Sequence, residues 1–195
     1  KYYCGYEIEK MSKRWHNVVN PDDVVAKYGA DCFRMYEMFL GPIEQHKPWD
    51  TKGIEGVSRF LKKFWRLFFE GDRFFVSSDN PSPAEYKILH KTIKKIQEDN
   101  ERFSFNTGVS TFMICVNELT ELKCNKKLIL EPLVILIAPY APHFAEELWS
   151  LLGKNISVSH ASFPVYDENF LVENIFTYPV SFNGKMRYKI DLPAD

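Results

Sequence analysis

The chain has 195 residues with 25 basic and 26 acidic side chains, a formal net charge of −1 that excludes a polybasic tail or acidic arm and confines any nucleic-acid contact to local faces. A hydrophobic share of 45%, with 16 Phe, 10 Tyr and 4 Trp, excludes a disordered chain, and the length suits one substantial domain with an appendage. The longest apolar stretch, Leu128 to Ala138, is interrupted by Glu131 and Pro132 and falls far short of the about 20 residues that span a membrane.

The opening Lys1-Tyr2-Tyr3-Cys4-Gly5 lacks the charged-then-apolar pattern of a signal peptide, and a chain that starts on Lys1 rather than Met is expected to be a fragment or a processed product. Cys4, Cys32, Cys115 and Cys124 have no zinc-ligand or disulfide-framework spacing, so they read as reduced thiols, with no metal site. After a strand-like Tyr6 to Glu9 and a basic loop, Asn20-Pro21-Asp22-Asp23 opens a helix. Asn20 accepts from the orphan amides, Pro21 suits the first position, and two carboxylates face the positive end. That helix should stop at Gly29, and a second should run from Asp31 to Leu40, closed by Gly41-Pro42. Ile43 to Lys52 reads as a loop.

From Gly53, Ile54, Val57, Phe60, Leu61, Phe64, Trp65 and Phe68 recur at helical spacing, with Arg59, Lys62, Lys63 and Arg66 largely off the stripe. Ser77 to Pro81 is a polar connection. Ser82-Pro83-Ala84-Glu85 is a capping box, opening a helix with Leu89, Ile93 and Ile96 inward and Lys87, Lys91, Lys94 and Lys95 outward. A further helix from Asn106 should bury Val109, Phe112, Met113, Val116, Leu119 and Leu122. Lys126 to Ile137 is apolar nearly all round and should be the most central element. Pro139 and Pro142 break it, and His143 to Leu152 resumes the helical pattern up to Gly153. Past Asn155 the period changes to two: Phe176, Tyr178, Val180 and Phe182, then Asn183-Gly184, then Met186, Tyr188, Ile190 and Leu192. This predicts a β-hairpin, which either docks on the helices or opens a further domain. The fold class is therefore mainly α, an antiparallel helical bundle with an N-terminal connecting segment and a C-terminal β-hairpin.

Lys10-Met11-Ser12-Lys13 places two ammonium groups on one loop, where they would stabilise charge developing on a departing pyrophosphate. Alone, four such residues are an ordinary solvated basic loop. Trp49, Trp65 and Trp149 read as packing residues, and His143 as a neutral side chain bonded to backbone. The five histidines, His16, His46, His90, His143 and His160, converge on no Ser or Cys, so a hydrolytic triad has no support.

Order and spacing add to this. Lys10-Met11-Ser12-Lys13, then Asn17-Val18-Val19-Asn20-Pro21-Asp22-Asp23 and Tyr28-Gly29-Ala30-Asp31, resemble the signature loop and following helices of class I aminoacyl-tRNA synthetases. Met38 to Gln45 with Lys47-Pro48-Trp49, Gly56 to Leu61, Ala138 to Trp149 and Val180 to Arg187 resemble the bacterial-type leucyl family of that class. The resemblance implies part of an ATP-dependent ligase, cytoplasmic, that activates leucine and transfers it to tRNA(Leu), with ATP and Mg2+ as substrate and the catalytic and editing domains outside this chain. Lys10, Met11, Ser12 and Lys13 would meet ATP, with Lys10 and Lys13 catalytic. Arg59, Lys63, Arg66, Lys91, Lys94 and Lys95 would lie along tRNA phosphates. It also implies three parts: a signature loop with connecting helices over 1–52, an anticodon-binding bundle over 53–154, and a linker with a hairpin over 155–195. After Lys13 the family usually continues with Ser, whereas Arg14-Trp15-His16 stand here; Arg14 keeps a donor and Trp15 adds bulk. The chain alone should not catalyse. A valyl, isoleucyl or methionyl relative shares this plan, although Gly41 to Trp49 speaks against it; a non-catalytic RNA-binding module descended from a synthetase is the other alternative.

Overall fold

The computed structural model describes residues 9–172, 175–182 and 185–193. Cys4, the strand-like segment before Glu9 and the Asn183-Gly184 turn lie outside the described residues. Helix α1 (Pro21–Tyr28) starts as its sequence dictates, with Asn20 Oδ1 accepting from the Asp22 amide at 3.2 Å, and stops where Gly29 takes a φ of 88°. Helix α2 (Ala30–Phe39) follows at once and buries Cys32, Met35 and Tyr36.

Helix α3 (Thr51–Arg66) starts two residues before Gly53, so the loop after α2 is shorter than its composition suggests. Asp50 is the cap, its carboxylate accepting from the Lys52 amide at 2.9 Å. Tyr36 fixes this corner, its hydroxyl donating to the Asp50 carbonyl at 2.5 Å and accepting from the Asp50 amide at 3.0 Å. Gly53 is small because a Cβ there would stand 2.7 Å from the Tyr36 ring. Phe68, expected on the α3 stripe, lies beyond the helix end but is still fully buried. The chain then makes a hairpin of two-residue strands, β1 (Phe69–Glu70) and β2 (Arg73–Phe74), which is absent from the sequence-based expectation.

Helices α4 (Pro83–Glu101) and α5 (Phe105–Glu121) pack side by side across a three-residue turn. The capping box of α4 is complete: the Ser82 amide donates to Glu85 Oε2 at 2.6 Å and the Glu85 amide to Ser82 Oγ at 3.3 Å. Burial alone would raise the Glu85 carboxyl, but hydrogen bonds from the Ser82 amide, the Cys124 thiol and the Ser82 hydroxyl, with the Lys126 charge nearby, hold it below its ordinary 4.5. A carboxyl depressed on folding contributes stability that is complete above its unfolded value and lost as pH falls through the folded one. Glu85→Gln is therefore expected to lose about 1 kcal/mol at neutral pH and to show a shallower fall below about pH 4.5 than the parent chain. Urea midpoints measured against pH check this, and parallel curves would refute it.

Leu122 departs from the expected stripe: α5 ends one residue before it and its side chain is 45% exposed. Helix α6 (Lys127–Ile137) is central, burying Ile129, Leu130, Leu133, Val134, Leu136 and Ile137, although Leu128 faces outward and Pro132 sits inside it. Its entry is tied to the polar connection after β2, where the Ser77 amide donates to the Asn125 carbonyl and the Lys127 amide to the Ser77 carbonyl, both at 2.8 Å. Helix α7 (Pro142–Leu151) ends at Gly153, φ 83°.

The segment after α7 is more than a linker. Trp149 Nε1 donates to the Ile156 carbonyl at 2.8 Å, the Asp167 amide donates to His90 Nδ1 at 3.0 Å, and Phe170 stacks on His90 with ring centres 4.6 Å apart. Strands β3 (Ile175–Phe182) and β4 (Lys185–Pro193) then pair antiparallel, setting Phe176 opposite Leu192, Tyr178 opposite Ile190 and Val180 opposite Tyr188 as the alternation requires, whereas a register shift between Val180 and Ser181 sets Ser181 opposite Met186 and Phe182 opposite Lys185, off the alternation. Among the described residues no helix is long and apolar enough to cross a membrane.

Candidate functional site

The basic loop before α1 has a defined shape. Ser12 caps one turn of 3-10 helix, Lys13–Trp15, its hydroxyl accepting from the Arg14 amide at 3.2 Å. Asn17 closes the loop from the other side: its Oδ1 accepts from the Ser12 amide at 2.8 Å and its Nδ2 donates to the Lys10 carbonyl at 3.3 Å. Ser12 is thus occupied in shaping the loop. Lys10 and Lys13 are exposed, and neither ammonium has an ion-pair partner among the described residues. Trp15 is 59% exposed with the Arg14 guanidinium 5.4 Å from its ring centre, so its bulk stands outside the loop. Met11 lines a cleft of about 320 Å³ whose other walls include Val19, Phe33, Glu37, Leu40 and Trp49.

The basic helix faces divide by partner. Arg59, Lys63 and Arg66 share one row of α3, but Lys63 Nζ donates to Asn117 Oδ1 on α5 at 2.6 Å. On α4, Lys95 Nζ lies 2.5 Å from the buried Asp99 carboxylate, while Lys94 lies 3.7 Å from Glu168 and faces the Tyr166 ring. Arg59, Arg66 and Lys91 are without ion-pair partners among the described residues. Lys87, Lys91, Lys94 and Lys95 rim a groove of about 480 Å³ between α4 and α5, with Ile88, Ile114 and Leu171 contributing apolar surface.

Trp49, Trp65 and Trp149 pack. Trp49 meets Tyr36 edge-on at 5.1 Å, Trp65 stacks on Phe69 at 5.1 Å, and Trp149 is 8% exposed. His143 is bonded otherwise than expected: its Nδ1 lies 2.9 Å from Asp31 Oδ1, a carboxylate on α2 rather than a backbone group. The same carboxylate accepts from the Phe144 amide at 2.5 Å, so α2 caps α7. Arg34 Nε donates to the Pro139 carbonyl at 3.0 Å in the corner between α6 and α7. Asn17, Asp31 and Arg34 are the residues that sequence reasoning missed; Asn17 had a signal in the loop's length, the other two only in tertiary structure. Burial pushes the Cys32 thiol up to about 11 and those of Cys115 and Cys124 to about 12, so these cysteines are poor nucleophiles at neutral pH. Among the described residues no group of three or more His, Cys, Asp or Glu side chains is placed to hold a metal ion.

The family model for the anticodon-binding domain of tRNA ligases matches residues 86–195. The chain belongs to that family. Within it, the likeness is to leucine–tRNA ligases: 65% identity over all 195 residues to that of Cytophaga hutchinsonii and 62% to that of Christiangramia forsetii. The chain covers 21% and 20% of those two proteins, about a fifth of the length of the curated relatives it matches. A crystal structure of the Agrobacterium radiobacter K84 LeuRS–tRNA–LeuAMS ternary complex is similar in fold, with a TM-score of 0.74 and 30% identity over 95% of this chain and 26% of that one.

Proposed function

We propose that the chain is the part of a leucine–tRNA ligase that carries the ATP-phosphate loop and the tRNA-binding bundle. The observation that carries this reading is that the likeness to leucine–tRNA ligases runs through the whole chain, loop included, at up to 65% identity. The reading divides the chain into the loop with connecting helices α1 and α2 over 1–52, the bundle over 53–154, and the packed linker with its hairpin over 155–195; α3 itself starts at Thr51, just ahead of the first division.

In the reaction this implies, the leucine carboxylate attacks the α-phosphorus of ATP and the bond to the bridging oxygen breaks. Negative charge then builds on the departing pyrophosphate. Lys10 and Lys13, exposed on a loop shaped by Ser12 and Asn17 and without ion-pair partners among the described residues, would meet that charge. Met11 lines the cleft beside α2. Magnesium enters with the nucleotide, as part of the substrate. The adenylate's carbonyl is then attacked by a terminal hydroxyl of tRNA(Leu), and AMP leaves. The bundle holds the tRNA in this step, with Arg59, Arg66 and Lys91 the cations most available for phosphates and Lys63, Lys94 and Lys95 contributing from their intramolecular pairs. The protein would act in the cytoplasm, where tRNA is charged.

The test is ATP–pyrophosphate exchange by the protein that carries this chain, with leucine, valine, isoleucine and methionine compared. Leucine is expected to support exchange and the others not. Preference for another amino acid would replace the reading with a sister synthetase, and absence of exchange with all four would favour a non-catalytic RNA-binding module.

A further inference from the structure

Helix α2 is only ten residues, about 15 Å long, yet it carries three faces with three different partners. Cys32, Met35 and Tyr36 enter the core. Phe33, Glu37 and Leu40, at helical spacing, line the cleft that Met11 of the basic loop also lines. Asp31 and Arg34, one turn apart, hold the α6–α7 corner. The corner needs them. Helix α7 has Ala141 as its N-cap, with no side-chain acceptor for its first amides, and the Asp31 carboxylate supplies one from 113 residues away. The Asp31 side chain is 12% accessible, so this contact is largely withdrawn from water, while its second oxygen engages His143 at 2.9 Å. Arg34 satisfies the Pro139 carbonyl on the other side of the same corner.

We propose that Asp31 and Arg34 are positioning residues that hold the segment carrying the Lys10–Lys13 loop in register with the bundle, so that the adenylate formed at the loop and the tRNA held by the bundle meet in one geometry. The inference rests on the leucine–tRNA ligase reading. Neither side chain touches a reacting group; α2 acts as a short bar, with the loop reached through α1, which packs on it, and the corner of the bundle pinned to another face. Of this chain, activation of leucine draws on the loop alone, whose shape comes from its own bonds between Ser12, Asn17 and Lys10. Transfer needs the place where the adenylate forms and the tRNA on the bundle in register, and a displacement of about 1 Å at a reacting centre costs on the order of 100-fold in rate.

The experiment uses the protein that carries this chain, with leucine-dependent ATP–pyrophosphate exchange and leucylation of tRNA(Leu) measured in parallel. Asp31→Ala is expected to keep exchange within about twofold of the parent while leucylation falls at least ~10-fold, in kcat rather than in KM for tRNA. Asp31→Asn, whose amide oxygen still accepts from the Phe144 amide, should restore most of the loss. Arg34→Ala should show the same split, and it decides the matter if Asp31→Ala does not fold. Equal losses in both assays, unchanged leucylation, or no recovery in Asp31→Asn would overturn the proposal. A parent protein without leucine-dependent exchange would overturn the underlying reading first, and the inference with it.

Discussion

Lys13→Ala, in the protein that carries this chain, is expected to lower leucine-dependent ATP–pyrophosphate exchange by at least ~100-fold and to leave tRNA affinity unchanged. The size follows from removing one preorganised donor from a developing charge, an effect of about 3–4 kcal/mol where it has been isolated in other enzymes. The selectivity follows from this loop. Its shape rests on the Ser12 hydroxyl, the Asn17 amide and the Lys10 carbonyl, none of which involves the Lys13 side chain. Truncating Lys13 therefore removes charge without moving its neighbours. Lys13→Arg should recover only part of the rate, because a planar fork does not replace a compact ammonium. Exchange within threefold of the parent in Lys13→Ala would remove the loop from the chemistry.

The second large effect is on stability. Phe64→Ala is expected to cost about 3–5 kcal/mol and, for a chain of this size, to lower the melting temperature by roughly 10 °C or more. Phe64 is fully buried, and its ring meets Phe60 at 6.2 Å, Phe68 at 5.8 Å and Phe144 at 5.5 Å. It joins α3, the start of the short hairpin and α7, three elements with different neighbours, so none closes the void by sliding alone. Leu122→Ala is the control: that leucine, although apolar and in phase with the α5 stripe, is 45% exposed and should change stability by less than about 0.5 kcal/mol. Unfolding curves in urea decide between them, and a drop below 1 kcal/mol for Phe64→Ala would contradict the role given to this ring.

Much of the framework is legible because it is local. Asn20, Ser82 and Glu85 cap the helices that their own sequence opens, Gly29 and Gly153 take the positive φ expected of stops, and the hairpin register follows from alternation up to the shift at Val180–Ser181. The strands β1 and β2 are illegible for the opposite reason, since two residues on either side of Gly71-Asp72 are too few to show a period. The α3 start lies ahead of the expected one because Gly53 reads as a breaker, whereas its lack of a side chain serves the Tyr36 contact. Within the candidate site, the loop and its cations are readable, and so is the Lys95–Asp99 pair, four residues apart on one helix. Long-range partners are not: Lys63 with Asn117, Lys94 with Glu168, and Asp31 with the amide of Phe144 join segments that only the packed bundle brings together. A row of lysines in sequence thus overstates the charge free to meet a phosphate.

That distinction gives the most direct test of the claim that this bundle holds tRNA. The measurement is the salt dependence of tRNA(Leu) binding by the protein that carries this chain, repeated with Arg59→Gln, Arg66→Gln and Lys91→Gln. Each variant is expected to weaken binding and to reduce the slope of log K against log salt by about one unit for every phosphate the protein no longer neutralises. Slopes identical to the parent's in all three variants would contradict the account.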